Sequence, residues 1–214
     1  LQSSEMGDIP KGWGTTNLAD LTAKIGSGAT PRGGDKVYVE SGVALIRSQN
    51  VYDSEFVWEG LVRLTDEDAS SLASVSVVSG DVLLNITGAS ILRTCVVIPD
   101  VLPARVNQHV AIIRAKRGIP PSYLHQHLLR ESTKSYLLGM DAGASRQAVT
   151  KSHIESVPTL RPTDEVLDRW RQITAPWFAM VDVRRAETTT LTALRDALLP
   201  RLLSGEIDVS DAER

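Results

Sequence analysis

The sequence is short of the residues that secure secreted and membrane proteins. A single cysteine, Cys95, excludes an internal disulfide framework. It sits in the run Thr94-Cys95-Val96-Val97-Ile98 and reads as a small buried hydrophobe. Aromatic residues are only 5% of the chain while apolar residues are 42%, so a core must be built mainly from aliphatic side chains. No apolar stretch is long enough to span a membrane and no signal peptide is visible, which points to a cytoplasmic protein with no membrane partner. Neither sign of charge dominates: residues 1–160 hold 15 Lys and Arg against 16 Asp and Glu, and the remainder 8 against 10. Binding to nucleic acid by bulk electrostatics is thereby excluded. A DNA-binding role needs a local patch, or a partner that shares the neutralisation of phosphates.

Catalytic signatures fail one by one. The stretch from Gly28 to Asp35 begins like a phosphate loop, but Gly34-Asp35 stands where a Lys and a hydroxyl residue are required. No Gly-x-Gly-x-x-Gly follows a strand, so a dinucleotide or methyl-donor fold within the chain lacks support. His125 and His127 are two apart in an expected helix and point to different faces, a weak arrangement for a metal. His109 has no identifiable nucleophile and orienting acid, and reads as a hydrogen-bonded surface or interface histidine. The sequon Asn85-Ile86-Thr87 lies in an apolar strand and is attributed to chance.

What the chain does have is a change of pattern near residue 163. A Gly-, Val-, Ile- and Thr-rich body gives way to one long helical segment, Thr163 to Gly205. Large or apolar residues recur at Val166, Trp170, Ile173, Trp177, Met180, Leu191, Leu194, Leu198 and Leu202 in steps of three and four, broken by one gap. Such a seam on a polar helix calls for a second helix against it. Thr163 can cap the start, Asp164 and Glu165 complement the dipole, and Gly205 is placed to stop the helix. In the gap the seam positions are Arg184 and Glu187, read as a register device; Thr188-Thr189-Thr190 form helix poorly, and Pro176 and Pro200 should bend it. About 42 residues at about 1.5 Å each make a rod of about 60 Å.

The body carries three glycine-bearing loops with Arg beside hydroxyl or amide residues. Arg32, Lys36 and Arg47 lie near Gly26 to Gly34; Arg93 follows Thr87-Gly88-Ala89-Ser90; Ser145, Arg146, Gln147 and Lys151 follow Asp141-Ala142-Gly143. Guanidinium and amide groups suit base edges, while hydroxyls suit phosphates. Strands are expected over Gly42 to Arg47, Asp81 to Thr87, Arg93 to Ile98 and Val110 to Arg114, with helices over Thr16 to Ile25, Pro121 to Leu138 and Lys151 to Ser156. The fold expected is α+β: a β-rich domain over residues 1–160, then a long coiled-coil-forming helix and tail over 161–214.

The ordered blocks Gly12-Trp13, Ser27-Gly28-Ala29-Thr30-Pro31, Leu45-Ile46-Arg47-Ser48-Gln49-Asn50-Val51, Gly80 to Gly88, Asn107-Gln108-His109-Val110 and Leu198 to Ile207 resemble the specificity (S) subunit of Type I restriction-modification systems. Two departures stand out: Val157 to Val166 replaces a Pro-Pro-Leu run leading to Glu-Gln, and Leu92 occupies a position where the family usually has glycine. The resemblance implies a noncatalytic target recognition domain that reads one half of a bipartite DNA sequence, with a spacer helix that docks methyltransferase subunits.

Implied partners are double-stranded DNA, the methyltransferase (M) subunits, the restriction (R) subunit through the complex, and a second copy or second half of the S subunit. No cofactor is expected in the chain itself, S-adenosylmethionine being held by the methyltransferase. The DNA-facing set is expected to be Arg32, Lys36, Arg47, Ser48, Asn50, Arg93, Ser145, Arg146, Gln147 and Lys151, with Asn107 and Gln108. The helix interface is expected at Trp170, Ile173, Trp177, Met180, Leu191, Leu194, Leu198 and Leu202. The chain opens at Leu1, not Met, and is read as half of a full subunit, processed or excised. Two other classes stay open: a regulator or decoy that binds subunits through its helix, and the recognition end of a fused methyltransferase or restriction enzyme.

Overall fold

The computed structural model describes residues 1–140 and 148–207. It divides into two compact units, Leu1–Asp168 and Arg169–Arg214. The first unit opens with strands β1 (Gln2–Ser4), β2 (Gly7–Ile9) and β3 (Gly14–Asn17), the one-turn helix α1 (Leu18–Leu21) and β4 (Thr22–Ser27). There follow β5 (Val43–Ile46), β6 (Val51–Tyr52), β7 (Glu55–Phe56), β8 (Val62–Leu64), helix α2 (Asp66–Ser71) and β9 (Ser76–Val77). Next come β10 (Val82–Asn85), β11 (Thr94–Val96), β12 (Ala104–Val106) and β13 (Val110–Ala115). Helices α3 (Pro121–Leu129), α4 (Glu131–Gly139) and α5 (Lys151–Glu155) and strand β14 (Pro158–Arg161) lead to the long helix α6 (Asp164–Leu203).

One antiparallel sheet has the order β11-β10-β13-β4. A second, β8-β5-β12-β9, is antiparallel except where β5 and β12 run parallel. Strand periodicity makes the first sheet a wall between two cores. Leu83, Val110 and Ile112 face a core shared with the second sheet, which contributes Ala44, Leu45, Ile46 and Val106. Their neighbours Val82, Leu84, Ala111 and Ile113 face a core closed by Leu18, Leu124, Leu128, Leu137 and Ile154 of the helices. Both faces being covered, β10 and β13 read as unbroken apolar runs with no alternation. Ahead of β10, the buried Asp81 takes a two-pronged hydrogen bond from Arg114, Nε–Oδ1 2.7 Å and Nη2–Oδ2 2.8 Å, and accepts the Val78 amide at 2.9 Å.

Two helical expectations need correction. Of Thr16 to Ile25 only Leu18–Leu21 is helical, because Thr22 to Ser27 pairs with β13 and Gly14 to Asn17 pairs with β14. Pairing across the sheets overrides a local pattern too short to nucleate more than one turn. The expected helix Pro121 to Leu138 is two helices, since Arg130 takes an extended backbone (φ −64°, ψ 135°) between α3 and α4. The strands anticipated at 42–47, 81–87, 93–98 and 110–114 are present as β5, β10, β11 and β13.

Helix α6 runs unbroken through both interior prolines and the threonine run. At its start the Leu167 amide donates to the Thr163 carbonyl at 3.1 Å, and Leu167 is buried in the second core. In the second unit the hydroxyls of Thr188, Thr189 and Thr190 donate to the carbonyls four residues back at 2.9–3.0 Å, which accommodates the threonines in the helix. Arg184 and Glu187, expected to act toward a partner, pair with each other at 2.9 Å. Gly205 ends the helix in the left-handed conformation (φ 73°), its amide donating to the Leu202 carbonyl at 3.2 Å. Trp177 and Leu191 are each 64% exposed, Met180 59% and Leu194 51%, so these seam positions stand open on the helix.

Candidate functional site

The loop after β5, strand β6, the loop between β10 and β11 and the turn before β13 meet around an open cleft of about 420 Å³. Its walls are Ser48 and Gln49, Tyr52, Thr87 to Ser90, Arg93 and His109. Apart from Gly88 and Ala89, every one of these lining side chains can donate or accept hydrogen bonds at neutral pH through a hydroxyl, phenol, amide, guanidinium or imidazole.

A hydrogen-bonded frame holds these loops in register. Asn85 at the end of β10 is fully buried, and its Nδ2 donates to the Ser48 carbonyl (2.9 Å), the Val51 carbonyl (3.3 Å) and Ser90 Oγ (3.1 Å). On the other wall the Thr30 hydroxyl donates to Gln108 Oε1. Gln108 Nε2 lies 2.9 Å from His109 Nε2, and His109 Nδ1 lies 2.7 Å from Thr87 Oγ1. With the Gln108 amide so oriented, its nitrogen donates to His109 Nε2, and Nδ1 becomes the hydrogen-bearing nitrogen that donates to Thr87. Four side chains thus link the loops after β4, β10 and β12.

Two backbone positions make the frame possible. Gly28 lies so close to the carbonyls of Val106 and Asn107 that any Cβ would collide with them. Leu92 takes φ 65°, a conformation glycine adopts freely and leucine does not, while its amide donates to the Asn85 carbonyl at 2.8 Å. The departure noted at Leu92 therefore leaves a glycine-like backbone path leading into Arg93.

The expected DNA-facing residues separate into groups. Ser48 and Arg93 line the cleft, and Gln108 and Asn107 adjoin it through His109, whose amide donates to Asn107 Oδ1 at 3.2 Å. Arg47 is half-buried: Nη2 donates to the Gly60 carbonyl at 2.6 Å and the guanidinium lies 5.6 Å from the centre of the Tyr38 ring. Asn50 is a correction, since it is fully buried and cannot face DNA; its side chain accepts from the Arg47 amide (3.0 Å) and donates to the carbonyls of Val57 (2.9 Å) and Glu59 (3.2 Å). Arg32, Lys36 and Lys151 are exposed and lie outside the cleft lining, Lys151 facing Glu155 at 3.4 Å. Ser145, Arg146 and Gln147 lie outside the described residues, although the next residue, Ala148, forms a bridge with Thr87 at the cleft.

Sequence reasoning missed Gln49 and Tyr52 and did not count Thr87, Ser90 and His109 as site residues. Adjacency to Ser48, Arg93 and Gln108 was the available signal. His125 and His127 are structural. Both are buried, with Nε2 3.1 Å from the carbonyls of Thr94 and Pro158 respectively. Burial first, and the nearby Arg130 second, push the His127 pKa down to about 4. Among the described residues no group of three or more His, Cys, Asp or Glu gathers to hold a metal ion, and no helix is long and apolar enough to cross a membrane.

No family model matches the chain. The HindI specificity subunit of a Type I restriction enzyme from Haemophilus influenzae is 25% identical over 207 residues, covering 93% of this chain and 42% of that protein. The MjaIX specificity subunit from Methanocaldococcus jannaschii is 26% identical over 212 residues, 95% of this chain and 46% of that one. The homologues of this chain are Type I restriction enzyme specificity subunits. The chain spans about half the length of those relatives. In fold, the chain matches the solved S subunit of the Type I restriction-modification system from M. genitalium with a TM-score of 0.62 at 14% identity, over 89% of this chain and 45% of that one. The shared architecture is a mixed α/β body with a long C-terminal helix.

Proposed function

We propose that this chain is a noncatalytic DNA-recognition module of a Type I restriction-modification system. In this reading the first unit reads one half of a bipartite target on double-stranded DNA. Helix α6 docks methyltransferase subunits and sets the distance to the other half-site, supplied by a second copy or a second half-subunit. Adenine methylation, with its S-adenosylmethionine, and DNA translocation belong to the partner M and R subunits. The observation that carries the reading is the cleft. Arg93, Ser48, Gln49 and His109 are gathered there from separate loops, and the kinship to specificity subunits gives such a polar, loop-built surface a role. The near-balanced charge of the body agrees with a division of labour in which partners supply much of the phosphate grip.

The test is reconstitution with methyltransferase subunits and mapping of methylated positions on genomic DNA. Methylation at one defined motif only when the chain is present is the expected result. Identical methylation without the chain would refute the proposal.

A further inference from the structure

Two arginines at the recognition loops lie over tyrosine rings, and they differ in how far the surrounding backbone engages them. Arg47 lies 5.6 Å from the Tyr38 ring centre, is half-buried, and gives a short hydrogen bond to the Gly60 carbonyl (2.6 Å). It braces its own loop. Arg93 lies closer to its ring, 4.3 Å from the Tyr52 centroid, and opens on the cleft. Among the described residues nothing accepts a hydrogen bond from its guanidinium.

We propose that Arg93 reads a guanine in the major groove, and that Tyr52 is the positioning residue that fixes the plane of its guanidinium. This rests on the reading of the chain as a DNA-recognition module. A guanidinium with one face against an aromatic ring keeps its N–H donors at its edge, in one plane. That fork matches the paired O6 and N7 acceptors of guanine. A phosphate could take the same donors, but phosphate sites gather cations, and among the described cleft-lining residues Arg93 is the sole Lys or Arg. The rest of the wall, with Ser48, Gln49, Thr87 and Ser90, offers neutral groups able both to donate and to accept, as a base edge requires. Gly88 and Ala89 add little bulk at the same wall and leave room for a base pair to approach.

The stack is also held from behind. The hairpin β6–β7 that carries Tyr52 is tied to the strand that follows Arg93. The Ser54 amide donates to the Thr94 carbonyl at 2.9 Å, and the Thr94 amide donates to Asp53 Oδ1 at 3.1 Å. Asp53 is itself paired with Lys134 at 2.6 Å. The residues flanking Tyr52 and Arg93 are therefore bonded to one another, so the guanidinium is oriented before DNA arrives. Preorganisation of this kind reduces the ordering cost of binding.

The experiment is enrichment of duplexes from a random pool by the full chain together with methyltransferase subunits, followed by sequencing. Wild type is expected to enrich a motif with at least one guanine. Arg93→Ala should erase the preference at one guanine by on the order of 10- to 100-fold while leaving the other positions of the motif intact. Tyr52→Phe should keep that preference and Tyr52→Leu should weaken it at the same position. Uniformly weaker binding by Arg93→Ala with an unchanged motif, and a salt slope reduced by about one, would mark a phosphate contact and overturn the inference while leaving the DNA-recognition reading standing. A guanine preference that survives in Tyr52→Leu would overturn the positioning role. A wild-type complex that enriches no motif would refute the recognition reading as well.

Discussion

The side-chain nitrogen of Asn85 donates to the main-chain oxygen of Ser48 at 2.9 Å, joining two walls of the cleft across 37 positions of sequence. The same nitrogen reaches Val51 O and Ser90 Oγ, so a single buried amide holds the loop after β5 and the loop after β10 together. Replacing Asn85 by Ala leaves buried carbonyls without their donor. A loss of about 2–3 kcal/mol in stability is expected from urea unfolding, with weaker binding to the target duplex in the fraction that remains folded. A variant of wild-type stability would show that the amide does not brace the site.

Gly28 provides a steric test of the other wall. An added methyl group would meet the carbonyls of Val106 and Asn107, both backbone atoms that cannot swing aside as a flexible side chain can. Gly28→Ala should therefore move the turn that carries Gln108 and His109 and cost on the order of 2 kcal/mol or more. Hydrogen exchange offers the direct measurement. The amides of Gly28 and Ala29, bonded to Val110 O at 2.9 Å and Val106 O at 3.1 Å, should lose protection in the variant while those of β10 do not. Unaltered protection at residues 28 and 29 would contradict the argument.

The legible parts of this fold were those with a long or uninterrupted signal. Helix α6 was visible from its seam and from Gly205, and β5, β10 and β13 from apolar runs that reflect burial on both faces. Strands β8, β9 and β12 were not visible, because two or three residues carry no period; their positions follow from pairing with partners distant in sequence. The site was half legible for a similar reason. Arg93 and Ser48 announce themselves by type, and the resemblance drew attention to Asn107 and Gln108. Asn50 carries the same residue type as a reader, yet its amide is spent on holding Val57 and Glu59, and nothing local distinguishes an amide that braces from one that reads. Tyr52 gains its role only from lying under Arg93, a contact between residues 41 positions apart.

His127 ties stability to pH. Burial and the charge of Arg130 hold its pKa at about 4, below the value of about 6.5 for an unperturbed histidine. The unfolded chain therefore binds a proton between these limits that the native chain does not. The stability from keeping His127 neutral is fully present above about pH 6.5 and is lost as pH falls toward 4, by up to about 3 kcal/mol. His127→Gln should flatten that part of the profile relative to wild type when urea midpoints are compared between pH 7 and pH 4.5. Parallel profiles for the two proteins would show that His127 is not the group responsible.

Helix α6 gives the test of assembly. Leu191 is 64% exposed and Leu194 51%, with Trp177 and Met180 further along the same seam. An apolar stripe of this kind in water favours association with a matching stripe, each well-buried leucine contributing roughly 1.5–3 kcal/mol. If the seam pairs with that of a second copy, light scattering of the full chain should give a mass of about twice 23.2 kDa. Leu191→Glu combined with Leu198→Glu places carboxylates at the packed positions and should return the mass to that of one chain, while the unfolding of the first unit stays unchanged. A wild-type mass of one chain at concentrations of tens of micromolar would reject self-pairing. It would leave the methyltransferase subunits as the expected cover for the seam, and the same double variant should then fail to co-purify with them.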